Sequence, residues 1–422
     1  MSIRATATTR DITPNANVRL AGYVGAPRIS AGERDKLLVS AVHLRGGSGG
    51  IIIVSLDLLS LDPSFVRTIR KRIVKATGTH EHNIVIGTTQ NHSAPVTSRA
   101  LCWLKDESYD VPDPEYLEYV AEQSVHAASE AAVASLPSKV ATIEFDSPNT
   151  GAIIVKDLRS GRIPAMIVVY DEIPDLLGSE NTQISSDFLH TARERLGKTL
   201  GREPVIAYLP APSGYRRLRV IPKEYGEKAA QRAGERLADQ ILTKGKALSS
   251  NDFVDNISFS GQSESLFDMP QRILPDQDSA KTALAQTLSA YAELDKIGAD
   301  DQQRIKAKWD IIKATHTINF IHAQENGLLD QELKDSEPAE LQLMQFGDQR
   351  LLCMPGTIVP ECARRIADIT DKNLWLAEGI NGDLQGSILA INGEDYELQS
   401  AIFESQSGAM LVDYARSLFS GK

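Results

Sequence analysis

The order of apolar and polar positions sets out a series of short strands and amphipathic helices. LLVSAVHL (37–44), a Gly/Ser stretch (46–50) and IIIVSLDLLSL (51–61) predict a β-hairpin, and the second strand is apolar at nearly every position, as a strand buried on both faces would be. DPSFVRTIRKRIVKATG (62–78) predicts a helix with Asp62 at the N-cap, Pro63 at the first helical position and Gly78 at the end. HNIVIGTTQNH (82–92) then reads as strand followed by loop, which completes a β–α–β unit. Residues 113–135 carry the 3.6-residue apolar spacing of a helix, 139–145 a strand, 150–172 a second hairpin turning at Ser160–Gly161, and 185–201 a helix capped by Ser or Asp. PVIAYLPAPSGY (204–215) is a strand entering a Pro/Gly loop, and 224–245 a further helix.

From about residue 250 the rhythm changes, and 279–325 is strongly helical and polar. The expectation is an α/β fold with a mixed sheet covered by helices, forming a single domain over 1–422 with a helical insertion at 250–335. Strand–turn–strand returns at 340–356, followed by helices at 360–371 and near 407–419. Loops at strand ends hold the notable polar residues, which is where α/β folds place ligand sites.

Composition narrows the setting. The 422 residues are 42% hydrophobic and 24% charged, with a net charge of −11 and a pI near 5.3. That balance argues against a nucleic-acid partner, which needs a basic stripe. Cys102, Cys353 and Cys362 form no CxxC pair, which fits a reducing compartment. The N-terminus has no apolar h-region, and no apolar run reaches the ~18 residues of a spanning helix, so a cytoplasmic protein without membrane insertion is expected.

Several stretches, in order, resemble the N-terminal catalytic domain of the neutral/alkaline non-lysosomal ceramidases. They are RDITP near the start, the first hairpin with Asp57, NIVIGTTQNHSAP beside the family's strand ending in H-x-H-S-G/A-P, and PAMIVVYDEIP with LLGSENTQISSDF. AYLPAPSGY, LLCMPGT and INGDLQGSILAINGEDYELQSAIFE continue the likeness, which spans roughly residues 1–245 and 340–420. The immunoglobulin-like tail of the secreted ceramidases is expected to be missing. The resemblance implies zinc-dependent amidase ancestry, with the metal held by two histidines, a glutamate and a tyrosine.

Carried over position by position, the first histidine falls on Gln90, the second on Ile173, the glutamate on Thr357 and the tyrosine near Leu384 or Ser387. Glu361, four residues after Thr357, is the nearest substitute. The expectation is therefore that the zinc site is absent and that no cofactor replaces it. A site rebuilt from His92, Asp171 and Glu172 would be the alternative. The His80–Glu81–His82 pair lies in a helix-to-strand loop and reads as solvated, and Cys353 as core.

What remains is polar. The resemblance would bring Asp57, Gln90, Asn91, His92, Ser93, Tyr170, Asp171, Glu172, Ser213, Tyr215, Arg216 and Arg217 to the same strand ends. His92 is the residue there able to move a proton near neutral pH, or else a hydrogen-bonded structural histidine. Asp57 ends a buried strand and needs a partner, either His92 in an acid–base dyad or a backbone amide. Gln90 and Asn91 would orient a carbonyl. Ser213 is a turn serine or a nucleophile, and Arg216 and Arg217, with Arg219 beside them, anchor an anion or form a solvated face. Asp187 caps its helix, and in the family that stretch also lines the cleft.

Two readings follow. One is a repurposed hydrolase for a small polar amide, ester or lactone, anionic ones included, rather than a membrane sphingolipid. The other is a non-catalytic member that binds a ligand or partner.

Overall fold

The computed structural model describes the chain except at residues 1, 16, 24, 48, 108, 213–223, 267, 370–372, 385–401, 405 and 421–422. The strands are β1 (Arg4–Asp11), β2 (Arg19–Leu20), β3 (Arg28–Ile29), β4 (Gly32–Glu33), β5 (Leu38–Gly46), β6 (Gly49–Leu56), β7 (Ile84–Thr88) and β8 (Leu136–Glu144), continuing with β9 (Gly151–Asp157), β10 (Ala165–Tyr170), β11 (Gln183–Ile184), β12 (Val205–Pro210), β13 (Phe259–Leu266), β14 (Ala339–Phe346), β15 (Gln349–Cys353) and β16 (Leu374–Ala377). The helices are α1 (Pro63–Thr77), α2 (Pro114–Val133), α3 (Phe188–Leu200), α4 (Glu227–Lys246), α5 (Gln277–Lys296), α6 (Asp301–Glu325), α7 (Leu328–Ser336), α8 (Pro360–Ala367) and α9 (Gln406–Ser420).

Eight strands form one mixed sheet in the order β12-β10-β9-β8-β1-β5-β6-β7, and four form a second in the order β13-β14-β15-β16. Side-chain alternation decides how they stack. Ile51 and Ile53 of β6, and Ala165, Ile167 and Val169 of β10, face a core shared with Met344, Phe346, Leu351, Cys353 and Trp375 of the second sheet. The intervening Ile52 and Val54 face α1 and α2, and Met166 and Val168 face α3 and α4. On the far side of the second sheet, Leu341, Leu352 and Leu376 pack against the helices α6–α9. The order of layers is thus helices, sheet, sheet, helices. Continuous apolar runs in β6 and β10 follow from cover on both faces.

The mixed sheet and its helices are as expected from the sequence; the second sheet between them is an addition. Residues 259–266, expected within a helical insertion, form strand β13, antiparallel to β14. The helical part occupies α5–α7, within 277–336. Strand β13 was hidden because only Phe259, Gly261 and Leu266 of FSGQSESL are buried.

The outer pairs of the large sheet are parallel, β6 with β7 and β10 with β12. The sheet curls until these edges approach, and Ser55 Oγ of β6 donates to Tyr208 O of β12 at 2.6 Å. The segment after β16 fills the seam. Glu378 N donates to Pro210 O (2.9 Å), Asn381 N donates to Ile86 O (2.7 Å), and Ile86 N donates to Asn381 Oδ1 (3.2 Å). Both edges thus find partners for buried backbone groups.

Helix α1 starts at Pro63 and ends at Gly78, whose φ of 70° lies in the left-handed region. Asp62 occupies the N-cap position but makes no side-chain cap bond. Burial and the nearby Glu332 carboxylate push its carboxyl up to about 7, against the pull of the Arg99 amide and guanidinium.

At Gly151 of β9 the two sheets approach closely: a Cβ there would meet the Ile143 carbonyl and lie 2.8 Å from Trp375 Cε2. Gly151→Ala is expected to lower stability by about 1–3 kcal/mol through overpacking, read as a lower denaturant midpoint. An unchanged midpoint would show that the sheets part locally at no cost.

Candidate functional site

The seam brings strand ends together. Beyond β6 and β7 the backbones stay paired, Thr89 N to Leu56 O (2.9 Å) and Asn91 N to Leu58 O (3.0 Å), so Asp57 and residues 89–92 run side by side. His92 N donates to Pro174 O (2.8 Å), which joins the loop after β10 to this pair.

Asp57 is almost fully buried; of the two expected partners the backbone amide is present and His92 is not, and an unexpected guanidinium joins it. The side chains of Arg193 and Asp57 meet in a bidentate pair, Nη1 to Oδ2 at 2.8 Å and Nη2 to Oδ1 at 2.9 Å, and Leu38 N donates to Oδ2 at 2.9 Å. Burial works against the Arg193 charge, but Asp57 outweighs it and raises the guanidinium pKa. The Asp57–His92 dyad does not form; the carboxylate is engaged by a guanidinium and an amide. Arg193 lies on the buried stripe of α3 with Leu189, Ala192 and Leu196. A charged residue on an apolar helical stripe was the readable signal.

His92 instead places Nδ1 2.9 Å from Gln90 O. A carbonyl only accepts, so the contact requires the proton on Nδ1, which leaves the lone pair of the neutral ring on Nε2. Gln90 bends back to allow this, with a left-handed φ of 61° that is uncommon away from glycine. Its side-chain amide lies against Gly379, where a Cβ would be 3.2 Å from Nε2.

Asn91 and Ser93 are ties within the chain. Asn91 Nδ2 donates to Ser185 O (2.7 Å) and Asp57 O (3.2 Å), and its Oδ1 accepts from Ser93 N (2.9 Å). Ser93 Oγ accepts from Asn181 Nδ2 at 2.9 Å. Ser213, Tyr215, Arg216 and Arg217, with Arg219 and Ser387, lie outside the described residues.

More carboxylates sit behind this rim: Asp35 and Glu378, which the sequence reading passed over, and Asp187, which it expected as a helix cap. Asp35 accepts from Ser185 Oγ (2.5 Å) and from Ser186 N and Oγ (2.7 Å each). Asp187 caps α3 by accepting from Phe188 N (2.7 Å) and also accepts from Leu177 N (2.8 Å). Burial pushes its carboxyl up to about 7; those two amides pull it down, and Asp175 and Asp35 push it further up. Glu378, fully buried at the end of β16, accepts from Ile358 N at 3.0 Å.

Proteins of known structure share this architecture. A neutral ceramidase from Pseudomonas aeruginosa superposes with a TM-score of 0.72 at 14% identity, covering 100% of this chain and 75% of that one. The fold is ceramidase-like. A second structure, of a ceramidase complexed with C2, gives the same score and identity and covers 100% of this chain and 76% of its own. No protein-family model matches the sequence, and no curated protein matches it.

The zinc positions carried over from the ceramidases meet at the rim of this ceramidase-like fold. Gln90 touches Gly379, Gly379 N donates to Gly356 O at 2.9 Å, and Gly356 packs beside Leu384 and precedes Thr357. Ile173, buried, precedes the proline that holds His92. Ile173 and Leu384 offer no donor, and the Gln90 carboxamide and the Thr357 hydroxyl are neutral and weak zinc ligands; Ser387, the other candidate for the tyrosine position, lies outside the described residues. Glu361 pairs with Arg365 in its own helix at 2.7 Å, which turns it from the rim. Asp171 accepts from Ser147 Oγ (2.9 Å) and Glu172 faces Arg236 at 3.5 Å. Among the described residues no three His, Cys, Asp or Glu side chains are grouped as a metal ion would need. His80 and His82 stack on an exposed turn, ring centroids 5.5 Å apart. The Cys353 thiol is buried and shifted upward by burial.

Arg193→Met should lower stability by about 3–5 kcal/mol, because it strands a buried carboxylate. Adding Asp57→Asn should return part of that loss in urea unfolding. A loss under about 1 kcal/mol for the single change would mean that the pair is not what holds Asp57. A second expectation concerns pH. The Asp62 and Asp187 carboxyls are raised from 3.8 to about 7 in the folded chain. Their stabilising contribution is therefore full below about pH 4 and is lost as pH rises through about 7. Asp187→Asn should flatten the fall in stability over that interval, and an unchanged pH slope would rule out the raised carboxyl.

Proposed function

We propose that this chain is a hydrolase-like protein that uses the ceramidase-like rim, without the family's zinc, on a small polar amide, ester or lactone rather than on ceramide. His92 is its acid/base group. The observation that supports this reading is the Nδ1 contact of His92 with the Gln90 carbonyl, which presents Nε2 as the basic nitrogen. A base held in one tautomer takes a proton from an attacking water and returns it to the leaving group, a contribution of roughly 10²–10⁴ in rate. Gln90 orients the substrate carbonyl. Arg216 and Arg217, beside Ser213 and Tyr215, anchor an anionic substituent. The acidic composition and the lack, among the described residues, of any helix long and apolar enough to cross a membrane fit a cytoplasmic protein with a small-molecule ligand and no nucleic-acid partner.

A second reading, a non-catalytic binder of the same fold, is favoured by one observation: the Asp57 carboxylate belongs to Arg193 and gives His92 no support.

Metal analysis of the purified protein, a hydrolysis screen of small amides, esters and lactones, and thermal melts with the same compounds separate these. Under the hydrolase reading, zinc is substoichiometric, and His92→Gln lowers turnover by about 10²-fold or more while keeping the ligand-induced rise in melting temperature. A rise without turnover in either protein selects the binder; binding at 100 Kd stabilises by about 2.7 kcal/mol. Stoichiometric zinc that His92→Gln removes would overturn the zinc-free reading altogether.

A further inference from the structure

One buried cation stands directly behind His92. Arg28 is 4% exposed. Its Nη2 donates to His92 O (2.7 Å) and to Ala21 O, and its Nη1 donates to Asn181 O (3.0 Å). Its Nε has no hydrogen-bond partner, and no carboxylate pairs with the guanidinium among the described residues. Burying a charge without a counter-ion costs several kcal/mol. The side chain therefore repays its place only through what its fork organises: three carbonyls from segments 21, 92 and 181.

The same guanidinium lies over the Tyr23 ring, 4.6 Å from its centroid. The Tyr23 ring in turn lies 5.3 Å from the His92 ring at a 57° tilt, and its hydroxyl donates to Asp175 O at 2.8 Å. Gly22 closes another side. A Cβ there would come 2.8 Å from His92 Cγ and closer still to Cδ2, so the imidazole occupies the space that any side chain would take. His92 is thus held at its carbonyl by Arg28, at its amide by Pro174, and at its ring by Gly22 and Tyr23.

We infer that Arg28 and Tyr23 are positioning residues for His92, clamping the imidazole so that Nδ1–H stays on the Gln90 carbonyl and Nε2 faces the ligand. The inference rests on the reading of His92 as the ligand-facing group, and it concerns the ring's orientation rather than any reaction. Neither residue carried a signal in the sequence; Arg28 lies in GAPRIS and Tyr23 in LAGYVG.

The test is long-range ¹H–¹⁵N correlation of protein labelled at histidine, recorded at pH 8 without ligand. The expected wild-type result is a single neutral tautomer for His92 with the proton on Nδ1. Tyr23→Phe keeps the ring and should keep that tautomer. Tyr23→Ala and Arg28→Gln should shift the tautomer ratio toward Nε2–H by about fivefold or more, the equivalent of weakening one hydrogen bond. The signals of His43 and His190 should stay in place, which shows that the fold is kept. If Arg28→Gln does not fold, Tyr23→Ala and Gly22→Ala carry the same readout. A wild-type mixture of tautomers, or a pure Nδ1–H form retained in the folded variants, overturns the inference. Because the tautomer is read without substrate, a silent hydrolysis screen would sink the hydrolase reading and leave this result standing, and the reverse holds equally.

Discussion

The structure depends on a sheet whose two edges must be satisfied by the same few residues. A strand edge buried in protein leaves N–H and C=O groups that water cannot reach. Here β7 and β12 both find their partners in residues 378–381. Because the outermost pairs are parallel, closing the seam gathers the C-terminal ends of β6, β7, β10 and β12 on one rim. The clustering of Asp57, residues 90–93, 170–174 and 378 is therefore a result of edge pairing before it is anything chemical. Ligand sites in open α/β sheets arise at such strand ends for the same reason.

Within the rim, most polar side chains already have fixed partners. Asp57 is matched to Arg193, Asp35 to two serines, Asn91 to two carbonyls, and Ser93 to Asn181. Such a set is rigid, because each buried group would lose a bond if it moved. Against it, His92 stands out as the titratable ring with a constrained orientation and partial exposure. The shell around His92 is thus made of groups that already hold one another in place.

Much of the fold could be read from local pattern. Pro63 and Gly78 bracket α1, and the apolar run of β6 announced burial on both faces. What local pattern could not supply was partnership across distance. Asp57 and Arg193 are 136 residues apart, so the carboxylate looked unassigned although each half of the pair was visible. The second sheet was read only in part: β14 and β15 were expected as strand–turn–strand, but β13 is polar on much of its length, and its pairing with β14 crosses the whole helical segment. In the site, His92 and Gln90 were legible as residue types, but the backbone bend that lets one bond the other was not, since glutamine seldom takes a positive φ. Arg28 had no sequence signature at all, because its partners are backbone carbonyls, which every residue has.

The seam also bears on how the chain folds. Ile86 and Asn381 are 295 residues apart, and their contact completes the rim. Loop-closure entropy grows only slowly with length, so so wide a separation weighs little on final stability. It weighs heavily on order of events, since contacts of long sequence separation form late and slow the search. The large sheet must assemble with two unsealed edges and wait for nearly the whole polypeptide before they meet. During that wait the apolar strands β7 and β12 are the surfaces most able to pair with another molecule, which makes aggregation, rather than loss of native contacts, the chief hazard in producing this protein.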